Sequence, residues 1–461
     1  MTDARSTAIK YARDNRSRFL DELKELIGIP SISADSAYKQ DIRRAAEWVV
    51  ARLKAIGFEN VKTMESMGGH PIVYGDWIKA GAKAHTMLIY GHYDVQPADP
   101  LELWESKPFE AVKKGDYLVG RGASDMKGQV IASMAAMEAV MKAGGPSVNI
   151  KWMIEGEEEM GSASLADFIK ANEKTFACDF ALNPDAGMLA PDQPTLTYGL
   201  RGLAYFEIHL TGPDKDLHSG FFGGAVRNPG NELARLISGM HDEKNRVTLP
   251  GFYDSVRALS KEEREGFKRI PHITDADYAR DAGVSGLWGE EGYTAFERAT
   301  SRPTLEVNGM LCGYTGEGPK TVLPAKAMAK ISCRLVADQK PKQVEQQMIA
   351  YVKEHCHPAV KWEVKLISDA DSSISKTDSR EMKAMDKALE TVWGKKAIYR
   401  REGGSIPVVA YLQNVLGAEC VNTGFGLPDD LIHSPNEHLH LPTWEKGIDA
   451  LVHFMYNLGE N

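Results

Sequence analysis

Cysteine is scarce in this chain. Five are scattered over 461 residues, at positions 178, 312, 333, 356 and 420, and no two form a CxxC pair. That scarcity excludes a disulfide framework and a thiolate zinc finger, and it fits the reducing cytoplasm. No apolar run approaches the ~20 residues of a membrane span. Residues 1–10 are polar and contain no apolar h-region, so neither a span nor a signal peptide is expected. Positive charge is in deficit as well. Lys and Arg number 55 against 64 Asp and Glu, a net charge of −9, which argues against nucleic acid or an anionic membrane as partner. Repeats and low-complexity tracts are absent.

What remains is an ordinary globular composition, 43% hydrophobic and 26% charged. The length exceeds one core and predicts two domains. Apolar spacing predicts helices over 11–27, 45–56 (stopped by Gly57), 126–141 and 164–171. Strands are expected near Val61 and over 72–77, 87–90, 117–119, 148–154 and 179–182. Strands and helices alternating at this spacing mean an α/β fold with a mostly parallel central sheet. Near Gly199 the pattern changes. A strand over 203–210, a helix over 231–240, a polar stretch over 241–302, and then strand, helix and strand over 329–336, 342–355 and 360–366 describe a small α+β unit. A helix over 382–393, a strand at 397–399 and a helix over 444–458 then resume the first pattern. The expected division is a catalytic domain of 1–199 and 369–461 with an inserted domain of 200–368.

Four segments carry acidic or imidazole groups just after apolar strands. His92 and Asp94 follow 87–90, two residues apart, so an extended chain points them the same way. Asp125 follows 117–119 and by itself reads as a helix N-cap. Glu155, Glu157, Glu158 and Glu159 follow the next strand; alone they read as a solvated acidic turn before a helix. Asp185 follows 179–182 and alone reads as a turn residue. His433 stands in a polar segment near the C-terminus, where a lone histidine is usually structural, and the trio His355, Cys356 and His357 lies apart from all of these. Jointly, histidine and carboxylates at the ends of strands of one sheet make a metal-site arrangement. Mixed nitrogen and oxygen ligands suit Zn²⁺, Mn²⁺ or Co²⁺.

Six segments in order, Gly91–Pro97, Gly120–Gly128, Glu155–Ser162, Asp216–Gly220, Arg401–Pro407 and His433–Glu437, resemble the dinuclear metallopeptidases. That family includes carnosine dipeptidases, aminoacylases, glutamate carboxypeptidases and succinyl-diaminopimelate desuccinylases. The chain looks closest to the cytosolic nonspecific dipeptidase branch. The resemblance implies a phosphorylase/hydrolase-like sandwich with an inserted lid and dimerisation domain. It implies two divalent ions, Zn²⁺ first and Mn²⁺ or Co²⁺ as alternatives. His92 and Asp185 would hold one, Glu159 and His433 the other, and Asp125 would bridge them. Asp94 would orient His92, Glu158 would be the general base, and the peptide bond after Asp125 would be cis. His218 would reach the site of a partner subunit, making a homodimer. Arg334 would grip the substrate carboxylate, with Ser405, Gly404, Thr321 and Asn231 lining the same cleft. The implied reaction is hydrolysis of dipeptides or short peptides. The alternatives are an N-acyl amino acid amidohydrolase, a glutamate-type carboxypeptidase, or a non-catalytic binding protein on the same fold. Residues 368–379 lack the Pro-His element of the carnosine-cleaving members.

Overall fold

The run 87–90 is the centre of a longer strand, Thr86–His92, whose residues are buried from Met87 onward. A strand covered on both faces reads as a continuous apolar run, and this one lies inside a sheet. The structure is a computed structural model and describes residues 3–404 and 406–460. Its contacts separate two units: Met1–Tyr198, Ser375–Arg400 and Tyr411–Asn461 form one, and Gly199–Ile374 with Arg401–Ala410 form the other.

In the first unit the sheet runs in the order Glu59–Met64, Ile72–Trp77, Asn149–Glu155, Thr86–His92, Phe180–Asn183, Glu419–Asn422, Thr195–Leu200. The middle pairs are parallel, Asn149–Glu155 with Thr86–His92, Thr86–His92 with Phe180–Asn183, and Phe180–Asn183 with Glu419–Asn422. The flanking pairs are antiparallel. The sheet is therefore mixed, with a parallel centre. Register sets His92 beside Glu155, so the chain segments leaving these two strands start from the same sheet edge.

One expectation needs correction. Tyr117–Val119 is not a strand of this sheet. It pairs with His438–His440 and Val112–Lys114 in a separate three-stranded sheet. Three residues make too short a strand to carry a side-chain period, so the sequence did not distinguish the two settings. Asp125 thus reaches the site from a loop that ties the small sheet to the helix Lys127–Lys142. That helix, rich in Ala and Met, is buried on nearly every side. It packs against Leu441–Asn457 and the two N-terminal helices. Gly128 allows this closeness: a Cβ there would lie 2.2 Å from the Ala123 carbonyl, and Trp444 Nε1 donates to the Gly128 carbonyl at 2.8 Å.

The helix expected over 11–27 is two, Ala4–Asp14 and Arg16–Ile27. Asn15 divides them: its Nδ2 donates to the Tyr11 carbonyl, the side-chain competition with backbone bonding that makes Asn a poor helix interior. Lys39–Ile56 begins earlier than expected and ends where Gly57 turns left-handed, at φ 109°.

The second unit is a four-stranded antiparallel sheet in the order Thr304–Cys312, Lys326–Leu335, Gly202–Thr211, Lys361–Ala370. The helices Pro229–Ser238 and Pro341–His355 pack on it. Phe206, Ile208, Leu210, Leu236 and Met348 fill the space between. The alternation along Gly202–Thr211 is the expected one. The strand Thr304–Cys312 was not expected: it is an edge strand with mostly exposed residues, so its sequence lacks an in-out period. Residues 241–302 are more ordered than their polarity suggests. Three short helices each begin with a capping box, Ser260 with Glu263, Thr274 with Asp277, and Thr294 with Glu297. The His355, Cys356 and His357 trio is structural. His355 stacks on Tyr351 at 4.3 Å, and the His357 amide donates to Glu232.

Candidate metal centre

The parallel strands place the first ligands. His92 ends Thr86–His92, and Asp185 follows Phe180–Asn183 by two residues. Glu158 and Glu159 sit on a short 3₁₀ turn, Glu158–Met160, after Asn149–Glu155. Two groups form among the described residues. His92, Asp125 and Asp185 offer ligand atoms within 4.8 Å of one another, and so do Asp125, Glu159 and His433. Asp125 belongs to both. Its Oδ1 lies 3.2 Å from His92 Nε2 and its Oδ2 3.0 Å from His433 Nε2. His92 Nε2 is also 3.9 Å from Asp185 Oδ2, and His433 Nε2 is 3.1 Å from Glu159 Oε2. The Asp125–Met126 peptide is cis. Glu158 is next in sequence to Glu159 and belongs to neither group.

Asp94 stands behind His92. The imidazole Nδ1 donates to the Asp94 carbonyl at 3.1 Å and lies 3.4 Å from its Oδ1. Both residues are fully buried. Imidazole orientation by a backbone or side-chain oxygen is the usual support for a metal-binding histidine. Three supporting residues were not singled out from sequence. Gln96 Nε2 donates to Glu159 Oε2 at 2.9 Å and to the Glu159 carbonyl at 3.1 Å. The period of two that pairs His92 with Asp94 reaches Gln96 in one more step. Glu157 accepts the amides of His70 and Ser164. Glu437 is a buried carboxylate under the Asp125 loop.

The electrostatics expose a shortage of positive charge. Asp94, Asp125, Glu158, Glu159 and Asp185 crowd around two imidazoles. Burial pushes the Glu158 carboxyl up to about 7; His92 pulls it down, while Glu159, Asp125 and Asp94 push it further up. Burial likewise raises Asp185 and Glu159. Burial would raise Asp125 too, but hydrogen bonds from His433 and His92 hold it below the usual carboxylate range. Hydrogen bonds to Asp125 and Glu159 lift His433 to about 10. Crowded carboxylates cannot all ionise without added cations. Two ligand groups, nitrogen and oxygen donors, no thiol and a surplus of negative charge together fit a pair of divalent ions.

The residues expected to touch substrate lie in the second unit. Arg334 is on Lys326–Leu335, opposite Thr304 and Leu203. It lines a cavity of about 380 Å³ that Arg201, Tyr278, Trp288 and Asn308 also line. His218 is exposed and pairs with Val322; its Nδ1 accepts the Gly220 amide at 3.0 Å. The Thr321 carbonyl accepts the amide of Ser219, so Thr321 and His218 are neighbours. Asn231 is exposed on Pro229–Ser238 and lines a different concavity, with Cys312 and Tyr314. The Gly404 carbonyl accepts the Arg201 amide. Ser405 lies outside the described residues.

The profile of Peptidase family M20/M25/M40 matches residues 88–457. The Cys-Gly metallodipeptidase DUG1 of Candida albicans is 31% identical, over 96% of this chain and 95% of that protein. The human Beta-Ala-His dipeptidase is 28% identical, over 98% of this chain and 92% of that protein. Among solved structures, the M20 family metallo-carboxypeptidase Sso-CP2 of Sulfolobus solfataricus superimposes with a TM-score of 0.83 and 32% identity, over 95% of this chain and 99% of that one.

Proposed function

The chain belongs to peptidase family M20/M25/M40, and on that premise we propose that it is a metal-dependent hydrolase of dipeptides and short peptides. The observation that carries this reading is the pair of ligand groups sharing Asp125, with a raised carboxylate, Glu158, beside them and in neither. The relatives named above act on Cys-Gly and on Beta-Ala-His, both dipeptides.

In this reading His92, Asp125 and Asp185 hold one divalent ion, and Asp125, Glu159 and His433 hold the other. When bound, the ions supply Lewis-acid chemistry to the hydrolysis of an amide. Zn²⁺ is the first choice, and the donor set also accepts Mn²⁺ or Co²⁺. Glu158 takes the proton of the attacking water and returns it to the leaving amine nitrogen. Asp94 keeps the His92 ring aimed at its ion. Arg334 binds the substrate carboxylate through its guanidinium fork; Asn231, which lines a different concavity, is not assigned to that cleft.

The enzyme acts in the cytoplasm as a homodimer, each subunit lending His218 to its partner's site, where the imidazole donates to the developing oxyanion. Five cysteines, none of them in a disulfide, support the compartment. The dimer is supported by the exposed, apolar character of the second unit. Phe221 is 81% exposed, and Met310 and Leu311 lie more than half exposed on the edge strand Thr304–Cys312. Mixing Glu158→Gln with His218→Ala protein tests the shared site. Mixed dimers should regain activity that neither parent has, and no regain would rule out sharing.

The substrate class is tested by offering Cys-Gly, Beta-Ala-His, other dipeptides, and N-acyl amino acids to purified enzyme, with metal analysis and a chelator control. Dipeptides should be cleaved and the chelator should stop cleavage. The likeness to a metallo-carboxypeptidase favours a second reading, removal of C-terminal residues from longer peptides. Longer peptides or acyl amino acids cleaved while dipeptides stay inert would replace the first reading.

A further inference from the structure

We propose that Glu437 is a positioning residue that sets the geometry of the cation site formed by Asp125, Glu159 and His433; this rests on the two-site reading above. Its carboxylate is buried, with 1% side-chain exposure. Oε1 accepts the amides of Ser124 at 3.0 Å and Asp125 at 3.1 Å. Oε2 accepts Arg121 Nη1 at 2.8 Å and the Gly122 amide at 2.9 Å. A carboxylate offers about four acceptor positions. All are used, so Glu437 has no capacity left to ligate an ion. It acts instead on the backbone that carries Asp125.

The same residue, through its backbone as well as its side chain, ties the loop that carries His433. The Glu437 carbonyl accepts the Gly120 amide, and the His438 amide donates to the Asp430 carbonyl, closing residues 430–438 into a loop. Asp430 Oδ2 accepts Ser124 Oγ at 2.6 Å. The loop is therefore fastened to the Asp125 segment at both ends, through Asp430 and through Glu437, with His433 between them. Leu431, His433 and Asn436 all have left-handed backbone, at φ 55°, 61° and 66°, so the tightly wound segment has few alternative paths once its ends are tied.

The two cation sites are thus supported differently. His92 and Asp185 leave neighbouring parallel strands, and the sheet holds them. His433 depends on a loop and on the carboxylate beneath it. Loss of Glu437 is expected to loosen Asp125 and His433 together, so the group that contains both weakens far more than the group in which the sheet still holds His92 and Asp185.

The test is competition titration of Zn²⁺ against a chromophoric chelator, using metal-stripped wild type, Glu437→Gln and Asp430→Asn, with thermal unfolding of each stripped protein. Gln turns one acceptor oxygen into a donor facing backbone amides; Asn at 430 weakens the other tether independently. Wild type should take up two ions, and fewer would reject the two-site reading itself. Given two, each folded variant should bind one ion within a few-fold of wild type and the other tenfold to a hundredfold more weakly. Retention of both ions at wild-type affinity, or equal weakening of both, would overturn the proposal. So would loss of cooperative unfolding in both stripped variants, because the residues would then be holding the fold and not the site.

Discussion

The carboxylate of Asp94 accepts the backbone amide of Glu159 at 3.1 Å through Oδ2, and the amide of Glu158 at 3.3 Å through Oδ1. A residue that orients one imidazole thus also caps the turn presenting Glu159 and Glu158, the proposed ligand and base. The histidine end of one strand and the glutamate end of its neighbour are joined through a single side chain. Asp94→Ala should therefore cost more than the orientation of one ring. A tenfold to hundredfold fall in kcat/KM is expected, together with weaker retention of metal on dialysis. An unchanged kcat/KM would remove Asp94 from the site.

Glu158→Gln separates ion binding from proton transfer. The amide has nearly the same shape and cannot take a proton, so turnover should fall by roughly 10²-fold or more. Metal content should match wild type, since Glu158 is in neither ligand group. Full activity in this variant would reassign the base.

The expectations that held describe segments whose chemistry is local. Alternation over 203–210 gave the strand Gly202–Thr211, and the run 87–90 gave the centre of the sheet. His92, Asp125, Glu159, Asp185 and His433 do converge, although His433 stands 308 positions from Asp125. What stayed hidden was of two kinds. Exposed edge strands such as Thr304–Cys312 carry no burial period, because neither face is consistently covered. Supporting groups such as Gln96, Glu157 and Glu437 look like any polar loop residue until the backbone amides they accept, or the carboxylate they hold, are known. The capping boxes of 260–297 are legible as S/T-x-x-E/D, but the polar stretch around them carries too weak an apolar period to mark the helices they start.

Gly128→Ala tests how closely the helix behind Asp125 is packed. The added methyl would meet the Ala123 carbonyl at 2.2 Å, a backbone atom that cannot swing aside. Overpacking of this kind costs about 1–3 kcal/mol. The melting temperature should fall by several degrees in thermal unfolding, and metal affinity should weaken with it, since Ala123 is two residues from Asp125. An unchanged melting temperature would show that the loop can move.

Glu232 gives the second unit a defined acid response. Its side chain is fully buried, with Arg227 and Arg235 against it. Burial alone would raise its pKa, but Arg235, the His357 amide and Arg227 hold it down at about 2. A depressed carboxylate stabilises the folded state above its unfolded pKa of about 4.5, and that stabilisation is lost as pH falls through about 2. The contribution is on the order of 3 kcal/mol. Glu232→Gln should therefore be less stable than wild type at pH 7, with the gap closing between pH 4.5 and 2 in denaturant titrations. A gap independent of pH would mean that shape, and not charge, is what Glu232 contributes.

The first unit is interrupted in sequence, and this has a consequence for how the protein is made. The chain segment Tyr411–Asn461 belongs to the unit begun by Met1–Tyr198, with the second unit between them. A ribosome delivers His92, Asp125, Glu159 and Asp185 more than two hundred residues before His433 and Glu437. At ~5–20 residues per second, a nascent chain spends many seconds with its acidic ligands translated and one imidazole still missing. Asp125 belongs to both proposed ligand groups, its backbone is held by Glu437, and the small sheet before it includes His438–His440, so both groups await the late segment. A chain stalled between Asp185 and His433 would lack both the second imidazole and the carboxylate that holds the Asp125 backbone, and would leave both groups unfinished.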